Sequence, residues 1–429
     1  RLILAAFAVG MIDVDTAPTE LPVHRDRAVR RILLLGTHGQ ANIGDELLLT
    51  TFLHQLGHEH RYVVNSYDPE RTHAQFEADV DIEVIATTGD RWALLRHLVS
   101  CDAVVFGGGS IVKELYRSVG RWRYATLVMV LALVLVARVA RRPVLLCGIG
   151  VGPIDTRLGR FLAAIIVRAA SLVSVRDTTS YDTCLSIGTR PDRVVRIPDP
   201  AFVNRPGQFP AGTPLLGVPA DADGSGRVRI ALNLNRDIAN GDRWDDVLAE
   251  LTQTFELVAE RIPIEIHALP MQSEFKDHDD ATVLRTFLAD HPEWNPVMHD
   301  TADHGDVEAI IGVCDVVVSE RFHDIVVAAV LGRPTVCLLY DVKVAELADQ
   351  LGIADRSVDI NAPLDPAALA DTIVDTAARG ADEGMRLYLL ADAYRAELDD
   401  HFDDVRRWLA DPAGQRTWST ATAGTRCRP

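Results

Sequence analysis

One stretch in the last third of the chain constrains the fold more than any other. Residues 314–319 form a β-branched apolar run typical of a buried strand, residues 322–332 have helical composition, and residues 335–340 are apolar and strand-like again. A strand, a helix and a second strand in this order close into a parallel sheet. Because open parallel sheets bind ligands beyond the carboxyl ends of their strands, the stretch predicts a site where its first strand ends.

The same alternation of strands and helices runs through most of the chain. It begins with an apolar run at residues 31–35, and a region rich in proline and glycine separates two such series. A chain of 429 residues also exceeds what one hydrophobic core usually organises. We therefore predict an α/β protein with two doubly wound, Rossmann-like domains. The predicted division is an N-terminal domain at 28–204, a linker at 205–227, a C-terminal domain at 228–410, and poorly ordered ends at 1–27 and 411–429.

The composition limits which partners the protein can bind and in which compartment we expect it. The sequence has 61 acidic and 43 basic residues and a net charge of −18. Nucleic-acid binding depends mainly on neutralising phosphates with basic side chains, so we expect no nucleic-acid partner. The six cysteines are scattered and form no CxxC pair. This pattern predicts reduced core thiols in a cytoplasmic protein and no metal site.

Residues 125–140 are apolar enough to raise the question of a membrane. Their uncharged core is shorter than the roughly 20 residues that a spanning helix requires. Arginines flank the segment on both sides. A helix buried against the sheet is the favoured interpretation, and peripheral contact with the inner face of a membrane is the alternative.

The end of the strand at 314–319 has the composition of an anion site. Free backbone N–H groups and the positive end of a helix dipole favour an anion there, and Arg321 and His323 would add two side-chain donors. We interpret this edge as a phosphate or carboxylate site. The alternative is that Arg321 pairs with Glu320 or Asp324 and that His323 simply begins the helix.

Two further strand ends carry candidate cleft residues. A glycine-containing loop after the first strand leads to Asp45 and Glu46, which would either act on a ligand or stabilise the start of a helix. Gly107, Gly108 and Gly109 follow another strand, where glycine permits either a close approach to a ligand or a tight turn. Since the first loop has neither GxGxxG nor a Lys-Ser/Thr pair, a Walker-type phosphate loop is not supported.

An ordered series of motifs, running from residue 31 to about residue 352, resembles the polysaccharide pyruvyl transferases. The motifs are Asn42-Ile43-Gly44-Asp45-Glu46, Gly107-Gly108-Gly109, Gly148-Ile149-Gly150-Val151-Gly152-Pro153, Ser174-Val175-Arg176-Asp177, Asp199-Pro200-Ala201-Phe202, Ser319-Glu320-Arg321-Phe322-His323 and Tyr340-Asp341-Val342-Lys343. Their order and spacing together carry the resemblance.

The resemblance implies a fold similar to the GT-B glycosyltransferases, in which two domains face a cleft. It implies phosphoenolpyruvate as donor and co-substrate, with no further cofactor. The pyruvyl group would become a ketal that bridges two hydroxyls of a carbohydrate or lipid-linked glycan acceptor. Arg321 would bind the donor phosphate, and His323 would supply an acid.

The remaining roles are assigned from the proton donor, base and cations that such a reaction needs. Ser319 and Lys343 would support the donor in the C-terminal domain, and Asp45, or Glu46 in second place, would act on the acceptor hydroxyl from the N-terminal domain. Arg176 is either a cleft residue or a structural partner of Asp177. Where relatives have an arginine after the first strand of the second domain, this sequence has Asn233-Leu234-Asn235-Arg236. The candidate cleft further contains Asn42, Gly44, Gly107, Gly108, Gly109, Asn233, Asn235, Arg236 and Gln272.

Two other functions remain open at this point. A GT-B glycosyltransferase that uses a nucleotide sugar would need a ribose-binding acid and a base pocket, and the sequence reveals neither. A non-catalytic carbohydrate-binding relative would keep the two-domain shell, with Arg321 and His323 facing away from the cleft.

Overall fold

The computed structural model of this chain describes residues 29–76, 80–115, 122–205, 226–236, 243–273, 279–301 and 303–410. Most of the predicted linker at 205–227 lies outside the described residues, as do the predicted poorly ordered ends at 1–27 and 411–429.

The N-terminal domain is a parallel sheet with helices on both faces. Its strands are β1 (Arg31–Leu35), β2 (Arg61–Ser66), β3 (Asp81–Ala86), β4 (Ala103–Gly107), β5 (Ser110–Val112), β6 (Val144–Val151), β7 (Leu172–Val175) and β8 (Val195–Arg196). They lie in the order β3-β2-β1-β4-β6-β7-β8, and β5 pairs with β6. The helices are α1 (Ile43–Leu56), α2 (Pro69–Phe76), α3 (Arg91–Ser100), α4 (Ala125–Val139), α5 (Arg157–Ala169) and α6 (Thr178–Ser186).

The C-terminal domain repeats this architecture. Its strands are β9 (Val228–Asn233), β10 (Ile264–Ala268), β11 (Val297–Met298), β12 (Val316–Ser319), β13 (Thr335–Leu339) and β14 (Ser357–Asp359). They form a parallel sheet in the order β11-β10-β9-β12-β13-β14. The helices are α7 (Trp244–Arg261), α8 (Asp280–Ala289), α9 (His304–Val313), α10 (Phe322–Val330), α11 (Val342–Gln350), α12 (Pro366–Ala378) and α13 (Gly380–Ala410).

The predicted α/β class with two Rossmann-like domains is therefore confirmed. The stretch at residues 314–340 is the unit β12–α10–β13, and its strands are buried in the interior of the second sheet. Central strands of a parallel sheet are covered on both faces, so they consist of continuous apolar runs that a sequence reveals clearly.

The last helix, α13, contacts both domains. Near its C-terminal end, Phe402 meets Phe52 of α1 edge to face at 5.7 Å between ring centroids. Arg395 donates from Nε to the Asn204 carbonyl oxygen over 3.2 Å. The same helix packs against α10 of the second domain. Helix α13 thus braces the two domains against each other.

A buried polar cluster fixes α13 to the first sheet. The His401 Nε2 atom lies 3.2 Å from the Ser174 hydroxyl and 3.8 Å from the Cys147 sulfur. Burial lowers the pKa of His401 to about 4. Since an exposed histidine has a pKa of about 6.5, the folded state resists binding a proton that the unfolded chain accepts.

We expect His401→Gln to make the protein less sensitive to acid. The stabilising effect of a neutral His401 is present above pH 6.5 and is lost as the pH falls toward 4, because the unfolded state then binds more protons. Between about pH 7.5 and about pH 5, wild type should lose about 2 kcal/mol more of its free energy of unfolding than the variant. Urea unfolding at both pH values measures this difference, and equal losses would contradict it.

Helix α4, which covers the segment at 125–140, is buried on one face only. Leu127, Val130, Val134 and Ala137 pack against the sheet, as predicted, while Val128, Met129, Leu135 and Val139 are exposed. The predicted packing of this helix against the sheet is therefore confirmed, and its opposite side faces outward. Among the described residues, no helix combines the length and hydrophobicity needed to cross a membrane.

Candidate active site

A cavity of about 490 Å³ lies between the two domains and is lined by residues of both. The first domain contributes the loops that follow β1, β2, β3 and β4, together with α4. The second domain contributes Met271 and the starts of α10 and α11. The cavity thus occupies the position where parallel sheets bind ligands, beyond the carboxyl ends of the strands.

The domains touch directly beside this cavity, at the start of α1. The backbone N–H of Ile43 donates to the Met271 carbonyl oxygen over 3.0 Å, and Asn42 forms a β-bridge with Gln272. A Cβ atom placed on Gly44 would lie only 2.1 Å from Nδ1 of His323. The absence of a side chain at residue 44 therefore lets His323 reach the first domain.

His323 carries a ring nitrogen with an unused hydrogen-bonding capacity. Its Nε2 atom is buried and has no hydrogen-bond partner among the described residues. Burial is the largest cause that lowers the pKa of His323 to about 4, and three cations act in the same direction: Arg176, Lys343 and Arg321. Asp199 opposes them. Without a ligand the imidazole is therefore neutral near pH 7, in a site whose positive charge suits an anion.

Arg321 lines the cavity and is held by a carboxylate from α8. Its Nε donates to Asp280 Oδ2 over 3.0 Å, and its Nη2 lies 2.5 Å from Asp280 Oδ1. Asn233 donates to the same carboxylate over 3.0 Å, which fixes the plane of the guanidinium. Asp280 lies 41 positions away in sequence and is not one of the two acids, Glu320 and Asp324, that the sequence analysis considered as partners of Arg321.

Further cations line the same cavity. Lys343, at the start of α11, lies 3.9 Å from Asp341 and 5.3 Å from the centroid of the Tyr340 ring. Arg176 is almost completely buried, donates to Asp199 over 2.8 Å and stacks at 4.5 Å over the Phe322 ring. Arg176 is thus both a structural partner, chiefly of Asp199, and a residue of the cavity wall.

Lys113 is a cavity residue that sequence reasoning missed. It follows the short strand β5 and is half-buried. Burial, together with the positive charges of Lys343 and Arg176, lowers its pKa, while Asp341 and Asp45 act in the opposite direction. Only three of the 43 basic residues in the sequence are lysines, and that scarcity is the signal that could have singled out Lys113 beside the three glycines.

Asp45 faces the cavity from the first turn of α1. Burial raises its pKa, and a hydrogen bond with the Thr37 side chain lowers it. The positive charges of Lys343, Arg176 and Lys113 also lower it. A carboxylate and a neutral imidazole from different domains therefore border one cation-rich cavity, as the sequence analysis anticipated for Asp45 and His323.

Two further candidates, Asn42 and Gly109, lie on the cavity wall. The remaining candidates do not. Ser319, Asn233, Asn235 and Gln272 are buried behind it and support Arg321, Asp280 and Glu320 through hydrogen bonds. Gly107 and Gly108 pack against Phe52 and Leu48. The structure thus places these six next to residues of the wall rather than on the wall itself. Glu46 is turned away and accepts a hydrogen bond from the Gly39 backbone over 2.7 Å, and Arg236 is exposed.

The sequence model of the family described as "Polysaccharide pyruvyl transferase" matches residues 42–342, which is more than two thirds of the chain. The chain belongs to the polysaccharide pyruvyl transferase family. The matched region contains Asp45, Lys113, Arg176, Arg321 and His323, and ends one residue before Lys343. The region that the family model matches thus contains most of the charged residues of the cavity wall.

Solved structures similar to this pyruvyl transferase family member establish its fold as GT-B-like. The Anabaena protein HepE in complex with UDP-glucose has a TM-score of 0.58 at 13% identity, covering 88% of this chain and 99% of that one. MnaA of S. aureus with UDP has a TM-score of 0.55 at 10% identity, covering 89% and 97%. The UDP-GlcNAc 2-epimerase of Neisseria meningitidis bound to UDP-GlcNAc has a TM-score of 0.52 at 10% identity, covering 88% and 99%.

We expect Gly44→Ala to impair this site without unfolding the protein. Its Cβ would lie 2.1 Å from His323 Nδ1, so the imidazole must move, and a displacement of about 1 Å can lower a rate about 100-fold. The measurement is kcat/KM, with the thermal unfolding midpoint recorded in parallel. Gly89→Ala is the matched control, since its Cβ would meet no atom closer than 3.6 Å. Equal activity of the two variants would contradict the assigned contact.

Proposed function

We propose that the protein transfers the pyruvyl group of phosphoenolpyruvate to two hydroxyls of a sugar in a surface polysaccharide or glycan precursor, as a ketal. The observation that carries this proposal is the juxtaposition of a neutral histidine, a carboxylate and four cations around one interdomain cavity. Phosphoenolpyruvate carries a phosphate and a carboxylate, and arginine and lysine groups match both anions.

The donor would be held by the cations of the second domain and by Lys113. Arg321 is pre-oriented by Asp280, and Lys343 and Lys113 carry charges that suit the phosphate or the carboxylate. The start of α10 adds the positive end of a helix dipole beside Arg321. Loss of positive charge from any of these positions weakens the attraction for a trianionic donor.

The reaction begins with a proton transfer to carbon. His323 gives a proton to the methylene carbon, which becomes a methyl group, and positive charge develops at C2. Because the bound donor is anionic, it opposes the cations that lower the pKa of His323 and helps the ring take up a proton. The first sugar hydroxyl then attacks C2 and loses its proton to Asp45.

Phosphate departs in the second half of the reaction. The bond between C2 and the phosphate oxygen breaks, and the leaving phosphate is stabilised by the same cations that bound the donor. The second hydroxyl attacks C2 and gives up its proton, which closes the ketal. The products are the ketal and inorganic phosphate. The two sugar hydroxyls release two protons. One replaces the proton that His323 gave to the methyl group, and the other leaves with phosphate.

The test is incubation of the purified protein with phosphoenolpyruvate and a panel of surface glycans. We expect phosphate release that depends on the glycan, together with the mass gain of a ketal-linked pyruvyl group. A parallel incubation replaces phosphoenolpyruvate with UDP-glucose and measures UDP release. Turnover of UDP-glucose alone would establish a glycosyltransferase instead. The non-catalytic alternative predicts glycan binding without either product.

A further inference from the structure

The N-terminal domain presents an exposed apolar surface formed by three neighbouring helices. We call it the α3–α5 face. Of the fifteen large hydrophobic side chains that are exposed among the described residues, ten lie here: Trp92, Leu95, Val99, Trp122, Val128, Met129, Leu135, Val139, Leu158 and Phe161. Helix α4 packs between α3 and α5, so these side chains belong to one continuous region. Apolar residues that are merely scattered over a surface would not be concentrated in this way.

The positions along α4 show that the exposure has a helical period. Val128, Leu135 and Val139 are exposed at spacings of seven and four residues, on the side opposite the residues packed against the sheet. Trp92 on α3 is 82% exposed, and Phe161 on α5 is 61% exposed. The fold therefore holds these large side chains in water, where their solvation is unfavourable.

The charge of this face differs in sign from that of the protein. Residues 91–100, 122–142 and 157–170 contain nine arginines and neither aspartate nor glutamate, whereas the whole chain has a net charge of −18. Eight of the nine are exposed: Arg91, Arg96, Arg123, Arg138, Arg141, Arg157, Arg160 and Arg168. A basic surface on an acidic protein indicates a negatively charged partner.

We infer that the α3–α5 face binds the surface of a bilayer that contains anionic lipids. Tryptophan, phenylalanine and leucine side chains enter the boundary between headgroups and acyl chains, while arginines contact lipid phosphates. A second copy of the chain fits poorly, because two such faces would bring eight exposed arginines against eight others. An acidic protein would match the charge, but it would leave the large exposed tryptophan, phenylalanine and aliphatic side chains unexplained.

The experiment is vesicle flotation of the full chain, without phosphoenolpyruvate or acceptor. The vesicles contain either phosphatidylcholine alone or phosphatidylcholine mixed with phosphatidylglycerol. We expect binding to the mixed vesicles that weakens as salt increases, and much weaker binding to the neutral ones. The triple variant Trp92→Ser, Leu135→Ser and Phe161→Ser should bind the mixed vesicles about tenfold less or weaker. None of these three residues lines the cavity.

The matched control changes three exposed apolar residues elsewhere: Met298→Ser, Met385→Ser and Leu389→Ser. It should float like wild type. A second variant combines Arg91→Gln, Arg138→Gln and Arg160→Gln and leaves the apolar residues in place. It should lose the preference for vesicles that contain phosphatidylglycerol. This variant tests the face even if the serine variant misfolds. Absent flotation, or equal flotation of wild type and both face variants, would overturn the inference. Self-association that only the serine variant abolishes, without vesicle binding, would assign the face to a second copy.

Discussion

Replacement of His323 by glutamine is expected to lower kcat by about 100- to 10,000-fold. Glutamine retains hydrogen-bonding capacity but cannot deliver a proton to the methylene carbon of the donor. The KM for phosphoenolpyruvate should change little, because the cations that attract the donor remain. Phosphate release at saturating donor and acceptor measures the effect. The folded state should gain stability in acid, since the buried ring no longer resists protonation.

A matched variant separates the loss of the acid from general damage to the cavity. Tyr340→Phe changes another residue of the same wall and leaves the proposed proton donor in place. Its kcat should stay within about threefold of wild type. If His323→Gln retained the activity of Tyr340→Phe, the proton would come from another group, and Asp45, whose pKa burial raises, would be the next candidate.

Lys113→Met is expected to raise the KM for phosphoenolpyruvate by about 10- to 100-fold, the usual effect of losing one hydrogen bond to a charged group. Methionine keeps the apolar stem and removes only the charge. Because Lys113 is half-buried, little of its attraction for an anion is screened by water or salt. Initial rates at varied donor concentration give KM and kcat, and kcat should fall less than kcat/KM.

Lys113→Arg is the conservative partner of that variant. It restores the positive charge and should recover most of the affinity for the donor, although a planar guanidinium places its N–H donors differently from an ammonium group. A KM that stayed at the wild-type value in Lys113→Met would place the donor deeper in the second domain, next to Arg321 and Lys343 alone. The acceptor KM provides an internal comparison, since removal of a donor-binding cation should leave it within about twofold.

Much of the fold was predictable because its central strands are long apolar runs. The strands β1, β12 and β13 could be recognised in this way. Five helices, α2, α3, α6, α9 and α11, and the short strands β5, β11 and β14 could not be recognised from the sequence. Strands of three and two residues carry almost no periodicity, so only the finished sheet defines them.

The candidate site was predictable only as a set of chain positions. Strand ends identified Asp45, Arg321 and His323, and these residues do meet at one cavity. Their partners were not predictable, because Asp280 reaches Arg321 from another helix and Gly44 meets His323 from the other domain. Pairings across long sequence separations depend on the packing of whole domains, which local patterns do not encode.

Helix α4 shows a similar limit. Its sequence is apolar on all sides, so periodicity could not distinguish the side that packs on the sheet from the side that faces outward. The neighbouring helices decide the difference, since α3 and α5 cover its flanks and leave one strip uncovered. The arginines around this strip were visible in the sequence, but their common surface was not.

The path of α13 limits how the cavity can open. The polypeptide passes from the first domain to the second once after residue 205 and then returns, as α13, to contact Phe52 and Asn204. Because α13 is attached to both domains, we expect the cavity to open by separating Gly44 from His323 while the contacts of α13 stay in place.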